Sequence, residues 1–446
     1  MTSDICSENS ATCSENSVTQ VSIEKAAPSG KVATQFLRIG LSDDGAETII
    51  SRLKAGGFFG YYAGGCVRDA LLSRKIYDFD LATNASPNEI KKIFYDCRLD
   101  LKGEKFGTVG IIINGKEYET TSFRSDLKYD DCRHPESVAF AAGINEDAAR
   151  RDFSCNALYY NNDSGIIDPT GGLRDIKSGI IRAVGRAEER FNEDALRILR
   201  ALRFASSLGF EIEKETVAAL EKCANKIEYV SKERVFCEIK RVLEGEFAVK
   251  ALENYNCAFF AVIDELKSVY DRMGNALFAP LKKSKNDFCL RFALLCRDLP
   301  LNVSERALKN LKADKKSVNG VMFILNNVNA DFSSDISLKK LLAYMGKTAA
   351  ENVIMFKACV AETKDESEYF NGRIAALNKL LKENAVYSLK GLAVNGNDLS
   401  DIGITGKKTG AVLNYLLEKV ISGEIINEKN ALLSKAKNFG EQSDQI

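Results

Sequence analysis

Hydrophobic and polar positions change their period about two fifths of the way along the chain. The aromatic run FFGYYA at 58–63 reads as a strand that ends in Gly64 and Gly65, and Val67, Ala70, Leu71 and Leu72 predict a short helix after it. Residues 78–83, DFDLAT, read as a second strand, with Phe79 turned to the core. Ser86, Pro87 and Glu89 supply the N-cap, first-turn proline and capping-box acid of the next helix. Residues 108–113 and 116–123 flank Asn114 and Gly115, a dipeptide suited to the positive φ angles of a type I′ hairpin turn. After Asp194, apolar residues recur every three or four positions, as at 217–223 and 235–243, and the remainder is predicted mainly helical. The stretches 282–286 and 302–317 read as connections or solvated helix faces. The pattern predicts an α+β chain: a mixed sheet with helices, then helices.

A length of 446 residues suffices for several domains with buried cores. Lysine plus arginine total 62, as do aspartate plus glutamate, so any surface for a polyanion must be a local patch. The twelve cysteines lack paired short spacings, which suits a reducing compartment better than a disulfide framework or a zinc site. No basic stretch followed by an apolar one opens the chain, and no apolar run reaches the ~18 residues of a membrane span. A cytoplasmic protein without membrane association is expected. Residues 1–40 repeat CSENS in a serine-rich, apolar-poor setting and are expected to be disordered.

Asp78 and Asp80 are two apart, so strand geometry sends both carboxylates to one face, where they can share divalent cations. Alone, such a pair is more often a solvated turn. Here it closes the segment GGCVRDALLSRKIYDFDLAT at 64–83, in which glycines let backbone N–H groups approach phosphate oxygens and Arg68 offers a planar cationic fork. A tight turn and an Arg68–Asp69 pair are the ordinary readings of those residues taken singly.

Together with RRDFSCNALYYN at 150–161, GIIDPTGGLRDI at 165–176 and RFNEDALRILRALRFA at 190–205, this segment resembles the class II tRNA nucleotidyltransferases. That family includes CCA-adding enzymes and bacterial poly(A) polymerases within the polymerase-β-like superfamily. The resemblance implies a nucleotidyltransferase head at 41–184, a helical neck that recognises the base at 185–270, and a helical body and tail that bind tRNA at 271–446. It implies that Asp78 and Asp80 ligate Mg²⁺ and that Gly65, Arg68 and Arg151 meet the incoming nucleotide, with Gly64, Asp152 and Asn156 supporting the pocket. A third catalytic acid falls at Glu119; Glu117 shares its face, and a period of two leaves the choice between them open.

Asp194 and Arg197 are three apart on a predicted helix, close enough to address one planar edge. A carboxylate accepts and a guanidinium donates, so the pair complements an exocyclic amine beside a ring nitrogen, the edge of cytosine and adenine but not of guanine or uracil. In the family this acid and arginine are understood to read the base. Arg200 and Arg203 continue the family's pattern, although the stripe winds and turns Arg203 away from Asp194. An exposed helix pair is the ordinary alternative for Asp194 and Arg197.

The single histidine, His134, rules out an appended histidine-rich phosphohydrolase domain and lies in a segment, 124–135, that the family uses in switching from CTP to ATP. By resemblance, Glu104 within 102–111 leans toward tRNA rather than poly(A) synthesis. The expected function is a CCA-adding transferase acting on tRNA with CTP and ATP, with a homodimer among the partner expectations. A poly(A) polymerase or an A-only or CC-only enzyme is the alternative, and a noncatalytic RNA-binding protein a remote one.

Overall fold

The computed structural model describes residues 33–35, 39–129, 135–140, 143–383 and 385–443. The CSENS repeats and His134 lie outside the described residues; within the stretch 1–40 expected to be disordered, Ala33–Gln35 instead form a strand, because they pair with Ile166–Asp168 at the sheet edge. Two compact units are formed: one runs to Asp194 and takes back Glu211–Thr216, and the other comprises Ala195–Phe210 and the chain from Val217.

The first unit is an α+β fold around one sheet. Its strands are β1 (Ala33–Gln35), β2 (Gly60–Ala63), β3 (Leu81–Thr83), β4 (Arg98–Asp100), β5 (Thr108–Ile113), β6 (Lys116–Ser122), β9 (Tyr159–Asn161) and β10 (Gly165–Asp168), while β7 (Arg124–Tyr129) and β8 (Pro135–Phe140) form a separate hairpin. The sheet order is β1-β10-β9-β2-β3-β6-β5-β4, and β3 and β6 are its parallel pair. The expected turn at Asn114 and Gly115 has φ of 51° and 79°, both positive, because the β5–β6 hairpin needs that twist. Ser86 and Glu89 form the expected reciprocal capping box.

One sheet face carries Tyr62, Leu81 and Tyr160 and belongs to the core that also buries Ile49 and Leu53 of α1 (Asp44–Ala55). Phe79, on this side, packs edge-on against Tyr62. The opposite face gathers Tyr61, Ala63, Ala82, Phe123 and Tyr159 with Ala148, a residue of the short helix Ile144–Ala149. A strand over 78–83 was expected; the hydrogen-bonded strand begins only at Leu81. Asp78 and Asp80 therefore lie in the segment leading into it, with Ala63 N–H still donating to the Asp80 carbonyl at 2.9 Å.

The second unit is helical. The helix Leu196–Leu208 packs on Lys232–Glu244, with Ser206 Oγ donating to the Val242 carbonyl at 2.6 Å. Buried Arg291 donates to the carbonyls of Leu243 and Gly245, both at 2.7 Å, satisfying the end of Lys232–Glu244. The stretch 302–317 is mostly helix, within Leu301–Asn310 and Lys315–Asn326. Near the C-terminus, Leu399, Leu416, Leu432 and Ala436 form a separate apolar cluster.

Candidate active site

The site is laid out along one row of cross-strand neighbours. Tyr159 of β9 pairs with Ala63 of β2, Ala63 bonds the Asp80 main chain, and Leu81 pairs with Thr120. One residue earlier in that parallel register, Asp80 stands beside Glu119. Glu119 pairs in turn with Gly110, and Gly110 with Asp100. Residues in register share a face, so Tyr159, Asp80, Glu119 and Asp100 all belong to the same side of the sheet. Glu117 leans over Gly110, where it occupies the space of a missing Cβ. Register thus separates the two glutamates that periodicity could not: Glu119 is the neighbour of Asp80.

Asp80 keeps solvent-exposed surface although protein atoms surround much of its carboxylate. Burial, reinforced by Asp78 and opposed by Arg151, holds its pKa above the usual carboxylate range. Burial also raises Glu119, helped by Asp80, Glu117, Asp78 and Asp100. Among the described residues neither Asp78 nor Asp80 has an ion-pair partner, and no three His, Cys, Asp or Glu side chains converge as metal ligands. The donor set nevertheless suits a hard divalent cation. Mg²⁺ is commonly held by one or two carboxylates plus substrate phosphates, and crowded like charges of this kind are what such a cation relieves.

Two arginines belong to this region, and Arg151 is the one whose charge acts on Asp80. Arg68, in the helix Gly65–Leu71, is buried; its Nη1 donates to Asn156 Oδ1 at 2.5 Å, and its Nη2 pairs with Asp69 at 2.8 Å. Asn156 Nδ2 donates to Asp152 Oδ1 at 3.2 Å, so Asp152 and Asn156 hold Arg68 in a chain of hydrogen bonds. Arg151 Nη1 donates to the Asn156 carbonyl at 3.1 Å, and its guanidinium lies over the Tyr159 ring. Gly64 has φ 74° and ψ −122°, and a Cβ there would stand 2.8 Å from Arg151 Nη1. Gly65 needs no such conformation, so the structural demand for glycine falls on Gly64.

Sequence reading missed Asp147 and Tyr159. Asp147, 1% exposed, accepts from Arg150, from Arg151 Nη2 at 3.2 Å and from Tyr159 Oη at 2.5 Å. Burial alone would raise its pKa; Arg151, Arg150 and the Tyr159 hydroxyl outweigh that and hold it low. The available signal was an acid four residues before Arg151. The motif at 165–176 proves architectural: Asp168 accepts the N–H groups of Gly172 at 2.8 Å and Leu173 at 3.0 Å. A Cβ at Gly172 would overlap the Ser154 carbonyl, and Asp175 accepts from Ser154 Oγ at 2.6 Å, which braces the turn carrying Asn156.

The expected common helix for Asp194 and Arg197 is not formed. Asp194 is extended, with φ −144° and ψ 101°, after the helix Ala187–Glu193, and the next helix begins at Leu196. Helical i, i+3 spacing therefore does not relate the two. Arg197 is buried, and Arg203 Nε pairs with buried Glu238 at 3.3 Å, which gives Arg203 a packing role within the second unit. Arg200 and Arg203 both lie over the Phe204 ring. Of the segment 124–135, the described residues Arg124–Tyr129 form β7, which pairs with β8 from Arg124 with Phe140 to Tyr129 with Pro135.

Residues 60–182 match the family described as poly A polymerase head domain, 209–255 a probable RNA and SrmB-binding site of polymerase A, and 285–436 a putative tRNA nucleotidyltransferase domain 2. The chain is 33% identical to the CCA-adding enzyme of Ligilactobacillus salivarius over 430 residues, covering 89% of this chain and 96% of that one. Identity to the CCA-adding enzyme of Geobacillus kaustophilus is 35%, covering 86% and 94%. Among solved structures, the Bacillus stearothermophilus CCA-adding enzyme in complex with CTP aligns with a TM-score of 0.62 at 29% identity, covering 90% of this chain and 98% of that one.

Proposed function

The chain belongs to the CCA-adding enzyme family, and on that premise we propose that it adds C, C and A to the 3′ end of tRNA from CTP and ATP, using residues of the sheet row as its catalytic centre. The observation that carries the residue assignment is the placement of Asp80 beside Glu119 and close to Gly64 and Arg151.

Asp78 and Asp80 hold the divalent cation, taken to be Mg²⁺, and Glu119 completes the acidic wall. When bound, the ion supplies charge neutralisation at the reacting phosphate and at the departing pyrophosphate. Arg68 and Arg151 face the triphosphate, and the backbone at Gly65 approaches its oxygens. Asp152 and Asn156 hold Arg68 in place through their chain of hydrogen bonds. The RNA's terminal hydroxyl attacks the α-phosphate in line and pyrophosphate leaves, with positioning as the chain's main contribution.

Asp194 and Arg197 are assigned the reading of the amine and ring-nitrogen edge shared by cytosine and adenine on their place in the family's motif, not on a shared helix, with Arg200 nearby and Arg203 acting through packing. Residues 41–184 serve as the head, 185–270 as the neck and 271–446 as the tRNA-holding body and tail. No helix among the described residues is long and apolar enough to cross a membrane; a cytoplasmic location and a homodimer belong to the same reading.

The test is incubation of purified protein and Mg²⁺ with tRNAs ending before C, after one C or after CC, each labelled nucleoside triphosphate being supplied separately. CMP should enter the first two and AMP only the third. Incorporation of A alone, of C alone or of a long A tract would identify the alternatives. Asp78→Ala and Asp80→Ala should abolish addition while tRNA binding survives; loss of both together would make those acids structural.

A further inference from the structure

Arg151 creates a problem that the fold has to solve. A guanidinium near Asp80 is attracted to that carboxylate, and a direct pair would occupy the oxygens needed by a divalent cation. No such pair forms among the described residues. Arg151 is instead bound from behind: Nε donates to Tyr159 Oη at 3.0 Å and to Asp147 Oδ2 at 3.3 Å, Nη2 donates to the same Oδ2 at 3.2 Å, and Nη1 donates to the Asn156 carbonyl at 3.1 Å. Tyr159 Oη donates to Asp147 Oδ2 at 2.5 Å, so acid, phenol and guanidinium form one closed network. Three of the five N–H donors of a guanidinium are engaged this way, leaving two for a ligand.

We propose that Asp147, braced by the Tyr159 hydroxyl, is a positioning residue that tethers Arg151 toward the nucleotide's phosphates and keeps it from pairing with Asp80. Asp147 is suited to the task because it is buried and cannot reach the ligand itself, so its charge acts through the arginine. This inference rests on the nucleotide site described above.

Tyr159→Phe removes one oxygen and keeps the ring that lies beneath Arg151; Asp147→Asn removes the charge. Each is compared with wild type for kcat and KM with CTP and ATP, and for Mn²⁺ binding by electron paramagnetic resonance without nucleotide. Tyr159→Phe should raise both KM values about tenfold with little change in kcat, and should weaken Mn²⁺ binding about threefold as Arg151 gains access to Asp80. Asp147→Asn should do more in wild type and add nothing to KM in an Arg151→Ala background.

A folded Tyr159→Phe with unchanged KM and unchanged Mn²⁺ binding overturns the proposal even if Asp147→Asn fails to fold. So does an Asp147→Asn effect of equal size in the Arg151→Ala background. An Arg151→Ala protein with wild-type KM would instead overturn the nucleotide-site assignment beneath it.

Discussion

Replacing Gly64 by alanine isolates the turn that joins the acids to Arg151. At φ 74° and ψ −122°, a residue with a Cβ is strained by about 1–3 kcal/mol. The new Cβ would also stand 2.8 Å from Arg151 Nη1 and 3.5 Å from the Asn156 carbonyl. An unrestrained arginine would swing aside, but Nη1 already donates to Asn156 at 3.1 Å, and Asp147 and Tyr159 hold the other side of the guanidinium. Displacement therefore weakens a charge-assisted hydrogen bond in addition to straining the backbone. The two effects together give about 3 kcal/mol, or roughly 6–12 °C in Tm for a unit of this size. Calorimetry measures the first consequence, and steady-state kinetics with CTP and ATP the second, a raised KM for both. Gly65→Ala is the internal control: its Cβ meets only Arg68 Nη2, at 3.7 Å, an ordinary contact. It should change stability by less than about 0.5 kcal/mol. A Gly64→Ala protein with wild-type Tm and KM, or a Gly65→Ala protein destabilised as much as Gly64→Ala, would refute the reasoning.

Other consequences follow from the charges. Asp80 and Glu119 have raised pKa values in the fold, so the native state binds more protons there than the unfolded chain, and this contribution to stability is lost as pH rises through the folded values. Divalent cations bind the ionised acids, so the gain in Tm on adding Mg²⁺ should be small at about pH 4 and larger at about pH 7.5; equal gains would count against a metal site here. Arg203→Ala leaves buried Glu238 without that partner and should cost about 3 kcal/mol in denaturant unfolding while base choice persists. Arg197→Ala should instead erode the preference for CTP and ATP over GTP and UTP in labelled-nucleotide incorporation. A selective Arg197→Ala enzyme would remove that residue from base reading.

Short-range chemistry was legible in the chain. The Asn114–Gly115 turn and the Ser86–Glu89 capping box follow from steric and hydrogen-bonding preferences acting within a few residues, and both are present. The hydrophobic period likewise separated the sheet-bearing region from the helical one. The strand expected from Asp78 was overextended because alternation marks the side-chain faces, whereas a strand also needs partners, and the ladder begins at Leu81. The expected helix through Asp194 failed for the converse reason: apolar spacing continued across a place where the backbone becomes extended.

The acid pair, the glycine turn, the arginines available to a phosphate and their order are all contained in the primary structure. Tertiary structure decided which of them meet. Parallel pairing of β3 with β6 puts Glu119, not Glu117, beside Asp80, and the packing of Asp147 and Tyr159 around Arg151 directs a charge that composition could only count. Those relations join segments far apart in the chain, so they exist only once strand register and burial have brought the segments together.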